Sequence, residues 1–234
     1  MAAVRELWRY PVASAGGERV EAVDVGRGRI KGDREFLLVD LLSGEVAAPE
    51  RLPRWRPALQ LSASWDKGGM IAGPSWSLSF SDPKLDDVLS DHFGFRCGLR
   101  RELTELETPH GPVCVHARYE VSPLHIVSAT ALAELAAHLP GSRLDVRRFR
   151  PNIVVDADIR DDEAVGRRFE AGLAKGVVTE ATKRCGMTMI AQTRLPEDPE
   201  ILRAIIRKRN RCLGVYATVS EGVSISVGDA FSLA

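Results

Sequence analysis

The stretch RRFRPNIVV, residues 147–155, places three arginines and an asparagine directly before a run of β-branched residues. The β-branched run predicts a short strand. Pro151 predicts an extended backbone at Arg150, because a residue before proline avoids the helical region. Guanidinium groups bind phosphate and planar oxygen-rich groups through paired hydrogen bonds. The stretch therefore predicts an anion site at the start of a strand, and a solvated loop is the open alternative.

A second stretch, Lys183-Arg184-Cys185, follows another β-rich run at residues 177–181. A cysteine beside a fixed positive charge favours the thiolate, which binds metals and attacks electrophiles. Burial of Cys185 as an inert core residue is the alternative, since free cysteines are often buried. Together, the two stretches indicate a site with an anionic ligand at one end and a soft metal or an electrophile at the other.

The composition is that of a soluble globular protein. The chain has 234 residues, 44% of them hydrophobic, with 32 basic and 32 acidic residues, which suits one large domain or two small ones. The balanced charge gives no general attraction to nucleic acid or to a membrane. Four widely spaced cysteines without zinc-type spacing, and no apolar leader or spanning run, predict a cytoplasmic protein with reduced thiols.

Hydrophobic periodicity and turn residues predict a mainly β protein with a few helices, of the α+β class. Strands and helices do not alternate regularly, which disfavours a Rossmann or (β/α) barrel fold. A turn-rich segment at 104–112 suggests a boundary between domains at 1–105 and 106–234. The predicted strands include 35–40, 58–62, 76–80 and 153–155, with 215–219 and 223–227 forming a hairpin around Ser220-Glu221-Gly222. The predicted helices are 83–93 capped by Asp82, 131–139 capped by Ser128 or Thr130, and 199–211 capped by Asp198.

Several segments, in order along the chain, resemble those of the MOSC family, the molybdenum-cofactor sulfurase C-terminal domain proteins. This family includes reductases of N-hydroxylated bases. The similar segments are Leu7 to Ser14, Gly32-Asp33-Arg34, Pro123 to Thr130, Arg148 to Asn152 with Arg184-Cys185, Leu213 to Tyr216, and Val227-Gly228-Asp229. The resemblance covers nearly the whole chain and implies a MOSC β-barrel preceded by a smaller β-rich N-terminal domain.

The resemblance also implies a molybdopterin-type molybdenum cofactor, with the thiolate of Cys185 as the metal ligand and catalytic group. Soft thiolate ligation suits such a metal. The cofactor-binding residues that it implies are Ser14, Arg34, Ser128, Thr130, Arg148, Arg150, Asn152, Lys183 and Arg184. For Ser128 and Thr130, ordinary helix capping is the alternative.

The implied activity is the reduction of small N-hydroxylated compounds, independent of pyridoxal phosphate, with electrons from a separate protein. No iron–sulfur or flavin motif is visible in the sequence. Ala13 stands where the family pattern has lysine, which favours a second hypothesis: a non-catalytic protein that binds the cofactor or carries sulfur as a Cys185 persulfide. A third hypothesis is a structural or interaction protein whose site has decayed.

Overall fold

The computed structural model describes residues 2–26, 29–118, 124–219 and 223–234. Over these residues the fold is mainly β with three α-helices, as the sequence predicts. The strands are β1 (Val4–Arg9), β2 (Glu18–Val20), β3 (Ala22–Val25), β4 (Phe36–Asp40), β5 (Ser62–Ser64), β6 (Met70–Ala72), β7 (Ser77–Ser79), β8 (Cys97–Arg101), β9 (Glu105–Thr108), β10 (Gly111–Cys114), β11 (Leu124–Ser128), β12 (Ile153–Val155), β13 (Arg168–Ala171), β14 (Ala174–Lys183), β15 (Cys212–Val219), β16 (Val223–Ser226) and β17 (Phe231–Leu233). The helices are α1 (Leu85–Phe93), α2 (Ala129–Ala137) and α3 (Pro199–Lys208).

The largest sheet has eight strands in the order β17-β13-β14-β15-β11-β12-β1-β2. Its neighbours are antiparallel except β11 and β12, which run parallel with α2 in their connection. An antiparallel bridge between Ala3 and Ala230 brings the start of β1 beside the start of β17. The sheet therefore curls back on itself, but the pairing among the described residues remains open, and the predicted closed barrel is not found there.

The curled sheet encloses one apolar core. Val4 and Leu7 of β1 are almost fully buried against Ile126 of β11 and Ile153 of β12. Val23 and Val25 of β3 join the same core. Alternating burial in β3 and β13 places apolar side chains inward and charged ones outward, as a sheet with one solvated face requires.

A second core lies within residues 12–99. The β4–β8 pair, the β5-β6-β7 sheet and α1 surround Trp55, which is fully buried and packs edge-on against Phe93 and Phe95. This part of the chain holds β4, whose Leu37 lines the cavity described below.

The helix predictions are confirmed with shifted ends. Asp198 caps α3 by accepting a hydrogen bond from the Glu200 backbone at 3.1 Å, and Pro199 takes the first position. Ser128 caps α2 through the Ala131 backbone at 3.1 Å. Helix α1 begins after Lys84, so the cap predicted at Asp82 is wrong; the Asp82 carboxylate instead accepts from the Lys84 backbone in the preceding turn.

Two strand predictions are wrong. Residues 58–60 belong to a 3-10 helix, Pro53–Gln60, because Pro53 starts it and Ala58 and Leu59 pack inward. The strands predicted as a hairpin both form, but β16 pairs with β3, and within the described ranges its ladder with β15 is not formed. The predicted hairpin loop, residues 220–222, lies outside the described residues, as does Pro123.

The first 25 residues contribute strands to the C-terminal half, since β1 pairs with β12 and β3 pairs with β16. The domain boundary near residue 105 stays a prediction. All four cysteines are free thiols. In the portion of the chain that the structure covers, every helix is too short or too polar to cross a membrane.

Candidate anion and thiol site

A cavity of about 240 Å³ lies between the segment that follows β1, the residues in and around β4, and the segments around β11, β14 and β15. Its volume is just below the roughly 300–1,000 Å³ typical of small-molecule sites. Most of the residues predicted for the site from sequence line it: Ser14, Arg34, Arg150, Asn152, Lys183, Arg184 and Cys185. Apolar side chains, including Leu37, Val46 and Met187, complete the wall.

Cys185 stands at the end of β14, directly before a 3-10 turn at Gly186–Thr188. Its carbonyl accepts hydrogen bonds from the Thr188 backbone at 3.2 Å and from the Thr188 hydroxyl at 3.0 Å. These contacts fix the backbone while the thiol side chain is exposed at the cavity. The alternative of a core cysteine is therefore wrong for Cys185.

Arg34 enters the cavity from the segment before β4. Its guanidinium forms an ion pair with the buried carboxylate of Asp33 and donates to the Arg150 carbonyl at 3.1 Å. Burial opposes the charge, but Asp33 outweighs that effect and leaves the pKa of Arg34 raised. Arg34 is therefore a fixed cation.

Arg150 packs against the ring of Tyr10, with its guanidinium carbon 4.4 Å from the ring centroid. The guanidinium carbon of Arg34 lies 5.1 Å from the same centroid. One terminal nitrogen of Arg150 donates to the Ala15 carbonyl. Burial lowers the pKa of Arg150 to about 10, and the neighbouring charge of Arg34 adds to the effect. The site thus holds more positive charge than its own acidic groups neutralise.

Arg184 is also buried, and it donates to the Phe149 carbonyl at 2.7 Å. Its other terminal nitrogen lies 3.4 Å from Nε2 of His125, whose Nδ1 lies 3.3 Å from the Arg150 carbonyl. This pattern fits a neutral imidazole with its proton on Nδ1, because a guanidinium can only donate. Burial and then Arg184 hold the pKa of His125 well below its usual value.

Asn152 is fully buried and joins three segments. Its side-chain oxygen accepts from the His125 backbone at 3.2 Å and lies 3.4 Å from Arg34, while its nitrogen donates to the Trp8 carbonyl at 3.3 Å. Asn152 therefore fixes the positions of β1, β11 and Arg34 relative to one another.

Three cavity residues have backbones in the left-handed region, which L-residues with side chains rarely adopt. The φ angles are +69° at Ser14, +53° at Arg34 and +54° at Arg150. The extended backbone predicted at Arg150 is therefore wrong, and tertiary contacts override the local preference set by Pro151. Strained backbone of this kind is often concentrated at functional sites.

The remaining predicted residues lie outside the cavity. Arg148 is fully buried, and its guanidinium donates to the carbonyls of Thr188, Ile190 and Pro196 at 3.2, 3.3 and 2.6 Å. Ser128 is occupied by capping α2 and by donating to the Ala157 carbonyl, and Thr130 faces solvent on α2. Their positions correspond to structural roles, with Arg148 bracing the loop that follows Cys185.

Four residues with polar side chains at the site were not predicted from sequence: Tyr10, Arg118, His125 and Tyr216. Tyr10 and Tyr216 fall in the segments similar to the MOSC family, as does His125, so the motif context was available for them. Arg118 has no local signal, because its partners at positions 47 and 50 are about 70 residues away in sequence.

Comparison with known families, solved structures and curated proteins adds four findings. A model described as "MOSC domain" matches residues 111–232, and one described as "MOSC N-terminal beta barrel domain" matches residues 1–71. The YUAD protein from Bacillus subtilis has a similar fold, with a TM-score of 0.55 and 14% identity, over 100% of this chain and 96% of that one. YiiM from Geobacillus stearothermophilus aligns with a TM-score of 0.40 and 18% identity, over 48% and 54% of the two chains. A search of curated proteins finds no match.

Proposed function

Because the chain belongs to the MOSC family, whose domains are associated with proteins that bind the molybdenum cofactor, we propose that its cavity binds a molybdopterin-type molybdenum cofactor and that the loaded protein reduces small N-hydroxylated compounds. The observation that carries the proposal is the convergence of Arg34, Arg150 and Arg184 with the exposed thiol of Cys185 on one cavity.

The residues present fit an anionic cofactor. Nη2 of Arg150 and Nε of Arg184 are buried, and neither has a hydrogen-bond partner among the residues described. An unsatisfied buried donor costs about 1–3 kcal/mol. A ligand with phosphate and heterocycle acceptors would satisfy these donors and offset the excess positive charge.

Cys185 would supply the protein's thiolate to the metal. Within residues 2–26, 29–118, 124–219 and 223–234, no group of three or more His, Cys, Asp or Glu side chains could hold a metal ion. A metal at Cys185 would thus take further ligands from the cofactor itself, and thiolate suits such a soft site. Arg150 and Arg184 would orient the cofactor, and Asn152 would hold the wall beside them in place.

When bound, the cofactor supplies a redox-active metal that can take part in cleaving an N–O bond. The overall conversion of an N–OH group to N–H and water consumes two electrons and two protons. A separate electron-transfer protein would supply the electrons. The described wall of the cavity presents cations and neutral groups. Because burial holds His125 neutral and its Nε2 lies beside Arg184, His125 would position Arg184.

The test is the molybdenum content of freshly purified protein, with turnover of a simple amidoxime under a chemical reductant. We expect near-stoichiometric molybdenum in the wild type and loss of turnover in Cys185→Ala. Cys114→Ala is the matched control, because Cys114 is an exposed free thiol outside the cavity lining.

Wild-type turnover in Cys185→Ala with molybdenum retained would contradict the role of the thiolate. Sulfane sulfur on Cys185 in a protein free of molybdenum would favour the sulfur-carrier alternative. That alternative is supported by the exposure of the thiol, which leaves it accessible to a sulfur donor.

A further inference from the structure

The last turn of α3, the loop that follows it and the end of β14 carry four exposed cations: Lys183, Arg207, Lys208 and Arg211. None of the four forms an ion pair within the described ranges of the chain. The whole chain has as many acidic as basic residues, 32 of each, so this group is a local excess of positive charge. We call it the basic surface.

The basic surface adjoins the cavity at its thiol. The Arg184 backbone donates to the Arg211 carbonyl at 2.8 Å, and Nε of Arg211 donates to the Arg184 carbonyl at 3.1 Å. The Arg211 backbone also donates to the Ile205 carbonyl at 3.2 Å, which ties this loop to the last turn of α3. Lys183 and Cys185, on either side of Arg184 in sequence, are both exposed and line the cavity.

Helix stabilisation accounts for only part of this charge. Cations near a helix C-terminus interact favourably with the helix dipole. Arg209 is an example with a structural role, because it is 16% exposed and pairs with Glu134 at 3.3 Å and with Asp161 at 3.1 Å. The cations of the basic surface are more exposed and form no such pair among the residues described, and Lys183 belongs to a strand.

An exposed apolar side chain lies beside these cations. Ile206 immediately precedes Arg207 and Lys208 on α3, and it is 50% exposed. Apolar contacts surrounded by charged and polar groups are typical of protein–protein interfaces. A nucleic-acid duplex would instead need a longer basic face. The surface therefore fits a protein partner with an acidic patch.

We propose that the basic surface docks an acidic electron-carrying protein, with Ile206 making an apolar contact and the cations attracting the carboxylates of the partner. The carrier would then meet the protein at the side of the cavity where the Cys185 thiol is exposed. The proposal rests on the proposed function for the electron-carrying role of the partner. The acidic character of the partner follows from the charge of the surface.

The test titrates an oxidised plant-type two-iron ferredoxin, a small acidic electron carrier, into the full-length protein as purified. Binding is measured by calorimetry at low ionic strength. We expect the double variant Arg207→Gln/Lys208→Gln to bind roughly three- to thirtyfold more weakly, because two surface charges are lost. Glutamine is a good helix former, so α3 is retained. Raising the ionic strength from about 20 to about 200 mM should weaken wild-type binding more than variant binding.

A second variant and a control separate docking from general attraction between charges. Ile206→Ser should weaken binding roughly three- to tenfold at both ionic strengths, because salt does not screen an apolar contact. Arg168→Gln is the control and should bind like the wild type. Arg168 is an exposed cation paired in register with Val177, which lies eight residues along the chain from Cys185, or about 26 Å of extended chain.

Three results would overturn the proposal. The first is no ferredoxin binding by the wild type at low ionic strength. The second is equal weakening by Arg168→Gln and by the double variant. The third is binding of vesicles with anionic lipid through Arg207 and Lys208 without binding of ferredoxin, which would identify a membrane surface as the partner.

Turnover of an amidoxime with reduced methyl viologen, a small reductant that needs no docking surface, tests the proposed function separately. Turnover with methyl viologen but no ferredoxin binding overturns only the docking surface. Ferredoxin binding that depends on Arg207, Lys208 and Ile206 in a protein free of molybdenum supports the docking surface and overturns only the proposed function.

Discussion

Arg148 and Arg150 of the segment at residues 147–155 have different roles although they are two positions apart. The guanidinium of Arg148 is enclosed by three carbonyls of the loop at residues 188–196. That of Arg150 reaches the Ala15 carbonyl and leaves Nη2 without a partner among the described residues. Arg148 therefore stabilises the protein, whereas Arg150 keeps a partly uncompensated charge ready for a ligand.

This contrast predicts different effects on stability. Arg148→Met should lower the free energy of unfolding by about 3–5 kcal/mol, because it leaves buried carbonyls without donors. Arg150→Met should change it by less than about 1 kcal/mol or raise it, since it removes a charge that burial disfavours. Urea unfolding of ligand-free protein measures both. An equal loss in the two variants would show that Arg150 is structural.

His125 predicts a pH dependence. Burial holds its pKa below the value of the unfolded chain, so between those two values the unfolded state binds one more proton than the folded state. Stability should therefore fall as pH drops below about 6.5, by up to about 1.4 kcal/mol per pH unit from this residue. The difference in unfolding free energy between pH 7.5 and 5.5 should be smaller in His125→Gln. An identical difference in both proteins would mean that His125 does not contribute.

The sequence predicted which residues line the cavity better than it predicted their contacts. Arg184 and Cys185 were predicted because a guanidinium and a thiol follow a strand signal, whereas Arg34 was predicted only through the family resemblance. The separation of Arg148 from Arg150 could not be predicted, since it depends on a left-handed backbone that only the surrounding packing imposes. Arg118 was not predicted because its partners are distant in sequence.

Among the strands, β15 approaches β11 and His125 most closely at Gly214, where a side chain would not fit. Its φ is +86°, and a Cβ there would lie 2.7 Å from the Ile126 carbonyl oxygen and 2.8 Å from Nε2 of His125. Gly228 has a similar φ of +90°, but a Cβ there would meet nothing within 4 Å. Comparing alanine substitutions at the two glycines therefore separates the free-energy cost of the left-handed backbone from the cost of steric crowding.

Gly228→Ala should lower the free energy of unfolding by about 1–2 kcal/mol, the cost of a left-handed backbone at a residue with a side chain. Gly214→Ala should lower the free energy of unfolding by about 1–3 kcal/mol more than Gly228→Ala does, because the new methyl group crowds β11 and His125. Thermal or urea unfolding of the two variants gives the difference directly. Equal costs would mean that β11 moves away freely, so that Gly214 does not fix the distance between β15 and the site.

Elements with local signals were predictable, and their pairings were not. Asp198 with Pro199 defines the start of α3, and Ser128 that of α2, because capping depends on a few adjacent residues. The pairing of β16 with β3 joins segments 200 residues apart, and no local pattern encodes it. The hairpin predicted for residues 215–227 rested on a local turn signal, and long-range packing against β3 decided the pairing of β16 instead.

For the molecule as a whole, the two largest of the four apolar clusters in the described residues are distributed unequally along the chain. The core around Trp55 is built entirely from residues 12–99. The core inside the curled sheet combines strands from 124–233 with Val4, Leu7, Val23, Val25 and Ile30 of the N-terminal segment. The predicted domain at 1–105 therefore contains one complete core, whereas the predicted domain at 106–234 does not contain the other.

This inequality predicts different behaviour of the two fragments cut at residue 105. Fragment 1–105 should unfold cooperatively by itself. Fragment 106–234 should not, because it loses β1, β3 and five buried side chains. At about 1.5–3 kcal/mol for each buried side chain, the loss is roughly 8–15 kcal/mol, comparable with the whole stability of a typical domain. Circular dichroism during urea titration tests each fragment, and mixing them should restore the fold of 106–234. A cooperative transition in 106–234 alone would contradict the dependence on the N-terminal strands.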